Sequence, residues 1–516
     1  MERKPVNIEH PTSIEQTANK IAFGDFQTPV ELAAQCCRIV GVEFDAPDVV
    51  IEPTCGKGAF VLAAASEFRS SPVIGYEIND LYRREARKVI GSQQERWTTD
   101  PKIRKCDFFT ADWQRLRARH PGSVLFVGNP PWVTNSQLGA LGSRNVPQKS
   151  NVDRVRGIDA MTGHSNFDIS ESMLLTLLAV MRPDQDILAM LVKTATARKV
   201  LRSRWRDGGY FRHASIRSID AKSSFGVSVD ACLLLLAPAT SRCPGPQVCL
   251  ASSSLEASPD RIAIGWHAGD LVADPMLAEQ TASLMATRKP ISCVGNWRSG
   301  IKHDVAGVLE FQQVDGQIVR KDGEIVDVES DQLYPLAKGS DVANSRGASL
   351  DRRLLITQHA VNESTADLRQ TLPATYRYLM NNATAFDARK SSIYRNRDRF
   401  ALFGIGPYTF APWKIAICGL YKRLQFTLLG PLDGKGVVVD DTCYFLAFDS
   451  RQQVQFVERL LASDVTTQFF RARIFWDAKR PITADLLRRL DLEAVARHLG
   501  WGEQYARHFA QDAAVG

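Results

Sequence analysis

An α/β fold with a mostly parallel sheet, followed by an α+β module, is what this sequence predicts, on three observations. Short β-rich apolar runs at 49–51, 73–76, 124–127 and 187–192 alternate with helical patterns at 59–68, 80–90 and 170–181. Alternation of this kind lays strands side by side in one sheet with helices on both faces. A late apolar strand at 225–236 then runs into 237–247, whose prolines and glycine mark a domain boundary. Beyond it, strand-like runs at 308–314, 354–357, 413–418, 425–429 and 442–448 lie between charged loops, and a helical tail follows from 451 to about 511. The expected organisation is an α/β domain over residues 1–240 and a second, α+β domain over 250–516.

With 516 residues the chain is long enough for two or three domains. Lys and Arg number 64 against 57 acidic residues, a formal charge of +7. That excess permits a polyanionic partner and equally suits a solvated basic surface. No apolar run reaches the ~20 residues of a membrane helix. The polar start at 1–11 has no signal-peptide core. The ten cysteines show no CxxC pair and no ligand spacing with histidine, so no metal is expected. They read as reduced, mostly buried thiols of a cytoplasmic protein.

Four signals in the first half fall in order. Glu52-Pro-Thr-Cys-Gly-Lys-Gly-Ala-Phe60 follows a strand and opens into a helix, and Gly56 and Gly58 let the backbone pass close to a ligand. Glu77 closes the next strand roughly twenty residues on, where doubly wound folds hold two ribose hydroxyls. Cys106-Asp107-Phe108-Phe109 offers an acid to an adenine amine and an aromatic to its ring. Each of the three, taken singly, also suits a purely structural strand end.

The fourth, Asn129-Pro130-Pro131-Trp132, comes straight after an apolar strand. Two prolines fix φ and remove two N–H donors, so the loop is rigid and offers carbonyls. The amine of a nucleobase is a poor nucleophile because its lone pair is delocalised into the ring. The Asn129 side-chain oxygen and the Pro130 carbonyl can both accept from such an amine, which localises the lone pair for attack on an electrophilic methyl. Trp132 offers a face on which a flipped base stacks, worth about 1–3 kcal/mol.

In this order Phe26-Gln-Thr-Pro29, the glycine turn and Asn129–Trp132 resemble the gamma arrangement of amino-methylating DNA methyltransferases, the TaqI-like group. The likeness is strong from Phe23 to about Leu236 and looser beyond. It implies a class I, Rossmann-like methyltransferase domain followed by a target-recognition domain, with S-adenosylmethionine as cofactor. It further implies adenine N6 in double-stranded DNA as the target, reached by base flipping. By the resemblance, Phe26, Thr28 and Pro29 touch the methionine part of the cofactor, and Glu52, Pro53, Cys55, Gly56 and Gly58 shape the same pocket. Glu77, with Ile78 beside it, takes the ribose; Asp107 and Phe108 hold the adenine. Phe225 stands where the group sets a second aromatic against the extruded base, and equally suits a core position. Asn166-Phe-Asp168 either lines the cleft or caps a helix. Lys57 in the glycine turn and Trp132 after the prolines depart from the commonest pattern.

In the second half, Trp297-Arg-Ser-Gly-Ile-Lys-His-Asp304, Leu333-Tyr-Pro-Leu-Ala-Lys-Gly-Ser-Asp341, Arg353-Leu-Leu-Ile-Thr357, Lys414-Ile-Ala-Ile-Cys-Gly-Leu-Tyr421 and Asp440-Asp-Thr-Cys-Tyr444 resemble segments of TaqI-like specificity domains. Arg389, Lys390, Arg395, Arg397, Arg399, Lys414, Lys422 and Arg423 are interleaved with Tyr394, Phe400 and Tyr408. Such a mixture suits phosphate contacts and base readout. The insertion 133–165 adds Arg144, Lys149, Arg154 and Arg156. The resemblance implies a place in a restriction–modification or related defence system, with a cognate restriction nuclease or defence-system subunit as partner and a cytoplasmic, nucleoid-associated location. The alternatives are cytosine-N4 methylation, glutamine methylation on a protein, and a catalytically silent DNA-binding subunit.

Overall fold

The structure is a computed structural model and describes residues 26–92, 98–133, 168–241, 247–256, 261–286, 296–345 and 350–509. Phe23, the basic residues Arg144, Lys149, Arg154 and Arg156, and Asn166 lie outside the described residues. The chain divides into two compact units, Met1–Pro275 and Met276–Gly516.

In the first unit the order is α1 (Val30–Glu43), β1 (Val49–Glu52), α2 (Ala59–Glu67), β2 (Val73–Glu77), α3 (Asp80–Gly91), β3 (Lys102–Lys105), α4 (Trp113–Ala118) and β4 (Val124–Gly128). Then come α5 (Ile169–Val180), β5 (Ile187–Lys193), α6 (Thr194–Arg206), β6 (Tyr210–Ile219), α7 (Ala221–Phe225) and β7 (Ala231–Ala239). Strands β8 (Val248–Ser252), β9 (Ile262–His267) and β10 (Asp270–Val272) complete the unit. They form one sheet ordered β10-β9-β8-β6-β7-β5-β4-β1-β2-β3. β1 to β5 pair in parallel, and β7 enters antiparallel between β5 and β6. Every residue of β1, β2 and β4 is buried. Helices cover both faces, so these strands need an unbroken apolar run in place of an alternating one. This is the expected class I, Rossmann-like methyltransferase fold.

Local chemistry sets the ends of these elements. Asn79 caps α3, its Oδ1 accepting from the backbone N–H of Leu81 and Tyr82. Arg117 on α4 reaches Asp186, just before β5, through two 2.6 Å bonds in a site where both side chains are almost fully buried. Asp186 Oδ1 also accepts from Val124 N at 3.0 Å, so one carboxylate ties α4, β4 and β5 together. The chain steps from β1 to β2 and β3 on one side and then crosses back to β4 on the other side of β1, so the strand order reverses beside β1. Ligands of open α/β sheets bind beyond the C-terminal ends of strands at such a switch point.

Three expectations change. The boundary at 237–247 falls inside the first unit, because β8 pairs in parallel with β6 and carries β9 and β10 after it. The prolines and glycine there turn the chain without ending the sheet, and the unit runs to Pro275 where 240 was expected. Phe225 ends a short helix closed by Gly226 at φ 73°, and the strand begins only at Ala231. The run at 308–314 opens with a helical turn, Ala306–Leu309, before its strand, Glu310–Val314.

The second unit holds a five-stranded and a four-stranded sheet. In Trp413–Cys418, Ile415 and Ile417 face a cluster with Val454, Val457, Phe469 and Phe470 of the C-terminal helices. Ala416 and Cys418 face the opposite cluster, with Val437 and Val439. Period-two alternation buried on both sides explains why this run is apolar from Ile415 to Cys418. The helical tail is present as five short helices between Arg451 and Phe509. No helix among the described residues is long and apolar enough to cross a membrane.

Candidate functional site

At the C-terminal ends of β1, β2 and β4 lies a cavity of about 330 Å³. Of the residues singled out in the sequence, Phe26, Thr28, Glu52, Pro53, Cys55, Gly56, Glu77, Ile78, Phe108, Asn129 and Pro131 line it. Pro29, Gly58, Asp107, Pro130, Trp132 and Phe225 do not, and each does something else.

The glycine turn is held from two sides. Gly56 sits at φ 49°, where a side chain would be strained and a Cβ would lie 2.8 Å from Gln27 Oε1. Its N–H donates to Glu77 Oε2 at 2.9 Å, while Lys57 N–H donates to Gln27 Oε1 at 3.1 Å. Glu77 Oε1 accepts from Asn79 N at 2.7 Å, so the carboxylate links the turn to the cap of α3. A carboxylate has about four lone-pair sites, which leaves acceptor capacity for a diol. Gly58, at φ 89°, starts α2 and lets it approach α3 at Ala86. Pro29 begins α1, its carbonyl accepting from Ala33 N. The Lys57 ammonium points away to Glu85 at 2.9 Å, so its departure from a small residue leaves the turn intact.

Glu52 ends β1 and is 3 % exposed. Burial holds its carboxyl well above the usual carboxylate range, helped by the nearby Glu77 charge and opposed by a hydrogen bond from the Val61 backbone. Its Oε2 has no hydrogen-bond partner among the described residues. At the other end, Phe108 packs on Trp113 with centroids 4.8 Å apart. Asp107 lies off the cavity wall and accepts from Phe109 N at 3.0 Å. In this structure the acid expected to meet an adenine amine therefore shapes the turn that carries Phe108.

The Asn129 amide is oriented by its neighbours. Nδ2 donates to the Phe26 carbonyl at 3.0 Å and to Thr28 Oγ1 at 3.2 Å. A carbonyl only accepts, so the nitrogen must face Phe26 and the oxygen must face away. Oδ1 is buried and lacks a partner among the described residues. Trp132 overturns the expectation of an open stacking face. Its ring is 4 % exposed, and Nε1 donates to the Leu191 carbonyl at 3.2 Å. Phe225 packs on it with centroids 5.1 Å apart, and Phe26 at 5.7 Å. A buried indole needs a partner for its N–H, and β5 supplies one.

Several wall residues were missed in the sequence. Gln27 sat within a segment read for its neighbours, and Asn79 carried the signal of a helix cap. Ile169 and Met173 come from α5, far along the chain, and only the fold brings them to the cavity.

In the second unit the basic cluster resolves into two kinds. Arg389 stacks over Tyr394 and donates to the Ala401 and Arg399 carbonyls. Arg397 donates to Val361 O and Asn362 Oδ1, and Arg399 pairs with Asp387 at 2.9 Å. Lys414, expected among the phosphate contacts, is 1 % exposed and donates to Ala411 O. Burial alone pushes its ammonium down to about 7. Lys390, Arg395, Lys422 and Arg423 are exposed, with no side-chain partner among the described residues.

No protein-family model matches the chain. It is 39% identical over 493 residues to the type II methyltransferase M.NspV of Nostoc sp. (strain ATCC 29411 / PCC 7524), covering 94% of this chain and 99% of that protein. Among solved structures it resembles the type IIL restriction–modification enzyme MmeI, determined in complex with DNA. The TM-score is 0.54 at 12% identity, covering 93% of this chain and 67% of MmeI. The expected cofactor is S-adenosylmethionine. The cavity fits it: a glycine turn, a strand-end carboxylate, an apolar aromatic end and an unpaired buried carboxyl oxygen suit a nucleoside carrying a cationic amino-acid tail. On the length and identity of the match to M.NspV, this chain belongs to the type II methyltransferases.

Proposed function

We propose that this protein methylates the N6 amine of adenine at one sequence in duplex DNA, acting on a base flipped out of the helix. The observation that carries the reading is the Asn129 amide. Its nitrogen is engaged by Phe26 and Thr28, and its oxygen is buried beside the cavity with no partner among the described residues. An acceptor left without a donor in a buried site is costly, about 1–3 kcal/mol, and a substrate N–H removes that cost.

Asn129 Oδ1 and the Pro130 carbonyl would accept the two amine hydrogens, drawing the nitrogen towards tetrahedral geometry. Bound S-adenosylmethionine supplies the electrophile, a sulfonium methyl. Phe26, Thr28, Glu52, Gly56 and Glu77 would hold it, with Phe108 against its adenine. The aromatic group of Phe26, Trp132 and Phe225 would form the floor of the base site, with Trp132 acting by packing. The proton leaves the product amine for water, and no base is required.

Double-stranded DNA as substrate is supported by the relative's class and by the exposed cations Lys390, Arg395, Lys422 and Arg423 in the second unit. A nuclease cutting the same site is the expected partner. The test is mass spectrometry of nucleosides from DNA treated with the purified protein and cofactor, with sequencing that maps the modified base. N6-methyladenine at one motif is expected. N4-methylcytosine would keep the amine chemistry and change the base; DNA left unmodified while a protein glutamine gains the methyl would overturn the proposal.

A further inference from the structure

We propose that Lys193 is a positioning residue for the Asn129–Trp132 loop: its ammonium buckles the far end of that loop to α5 and so sets the direction of the Pro130 carbonyl. The inference rests on the amine-methylating reading above and extends it to a residue outside the cavity wall.

Lys193 is the last residue of β5. Its Nζ donates to the Trp132 carbonyl at 3.0 Å and to Asp168 Oδ2 at 2.8 Å. Asp168 is 6 % exposed and caps α5, its Oδ1 accepting from Ser170 N and Oγ. Beside this pair, Ile169 N–H donates to the Val133 carbonyl at 2.9 Å. The loop is thus fastened three times at its far end, to β5 through Lys193 and through the Trp132 indole N–H on the Leu191 carbonyl, and to a helix through Ile169. Its near end is fastened through Asn129 to Phe26 and Thr28.

Between those anchors stand Pro130 and Pro131. Each ring fixes φ, which leaves ψ as the soft dihedral of each residue. With both ends held, the remaining freedom is small and the Pro130 carbonyl keeps one direction. Without Lys193 the Trp132 carbonyl is no longer held, and the two ψ angles gain freedom to turn together, swinging the Pro130 carbonyl while Asn129 and the Trp132 ring stay in place. Neither proline has an N–H with which a neighbour could restrain it, so a hydrogen bond to the backbone beside them has to be made to a carbonyl. A lysine suits that task, having three donors and no acceptor.

The contact is charge-assisted on both sides and mostly shielded, with the Lys193 side chain 26% and that of Asp168 9% exposed. Removing the lysine alone would leave a buried carboxylate unpaired and could unfold the unit. The test therefore uses the neutral pair Lys193→Met with Asp168→Asn in the full chain, with Lys193→Ala as a second variant. The pair should lower single-turnover methylation about 10–100-fold, the scale of a reacting group misplaced by about 1 Å. Cofactor affinity by calorimetry and KM for DNA should stay within twofold. Propylammonium added to Lys193→Ala should restore part of the lost rate. Amide exchange at Ile169 should quicken in the pair with or without DNA. A methylation rate and an Ile169 exchange rate both unchanged in the pair would overturn the proposal. Wild-type protein inactive on DNA, with Ile169 exchange still governed by Lys193, would instead overturn the proposed function and leave the buckle as a structural device.

Discussion

Asn129→Ala separates the two halves of the Asn129 side chain. The substitution deletes two neutral hydrogen bonds, at 3.0 and 3.2 Å, and one acceptor that has no partner among the described residues. Each lost bond is worth about 0.5–1.5 kcal/mol, so the stability cost is about 1–3 kcal/mol, and the fold should survive it. Removing the unpartnered oxygen offsets part of that cost, because in the free protein it is a buried acceptor that meets its donor only when a substrate amine arrives. Its loss should appear in the chemical step. A single preorganised polar partner of a transition state is worth about 10²–10³ in kcat, and that is the expected fall. Thr28→Val is the control: it removes one anchor of the nitrogen, leaves Oδ1 present, and should cost less than tenfold. The assay is single-turnover methyl incorporation into cognate duplex, beside cofactor titration by calorimetry. Cofactor affinity should change little, since the missing acceptor serves the amine. An Asn129→Ala enzyme within tenfold of the wild-type rate would refute the role assigned to Oδ1.

The raised pKa of Glu52 makes cofactor binding pH-dependent, with a definite sign. Below its raised pKa the carboxyl is neutral in the empty site, and a cationic ligand beside it favours its ionisation. Binding then releases a proton, and affinity rises with pH by up to about tenfold per unit until Glu52 ionises in the free protein. Calorimetry in buffers of different ionisation enthalpy should show that proton, and Glu52→Gln should abolish it. A chain ending at Pro275 should fold and bind cofactor, whereas one ending at Gln247 loses β8–β10 and bares the edge of β6, so it should aggregate; size-exclusion chromatography distinguishes the two. Neutralising Lys390, Arg395, Lys422 and Arg423 should flatten the salt dependence of DNA binding, by about 0.9 in log–log slope for every phosphate that these cations pair with in the complex. Neutralising Arg397 and Arg399, which hold carbonyl, amide and carboxylate partners within the unit, should lower thermal stability more than it flattens the slope.

By itself the sequence determined the parallel core and pointed to most of the residues that line the cavity at its edge. β1, β2 and β4 are legible because a strand buried on both faces reads as a continuous apolar run, interrupted in β1 and β2 only by the carboxylate at the C-terminal end. The glycine turn and the two prolines are legible because only those residues meet the backbone demands of their positions. These are local requirements, satisfied within a few residues. What only the tertiary structure decided depends on partners distant in sequence. The nitrogen of Asn129 is engaged by residues 101 and 103 positions earlier. Trp132 became a core residue because the Leu191 carbonyl lies within reach of its N–H. Lys414 and Arg389 looked like surface cations until their surroundings were built around them. The boundary after 237 was misplaced because proline and glycine turn a chain equally well between domains and between β7 and β8, and only pairing with β6 tells the two apart. Composition and period record what a residue requires of its own backbone. Which distant group meets its charge or its N–H is a property of the fold.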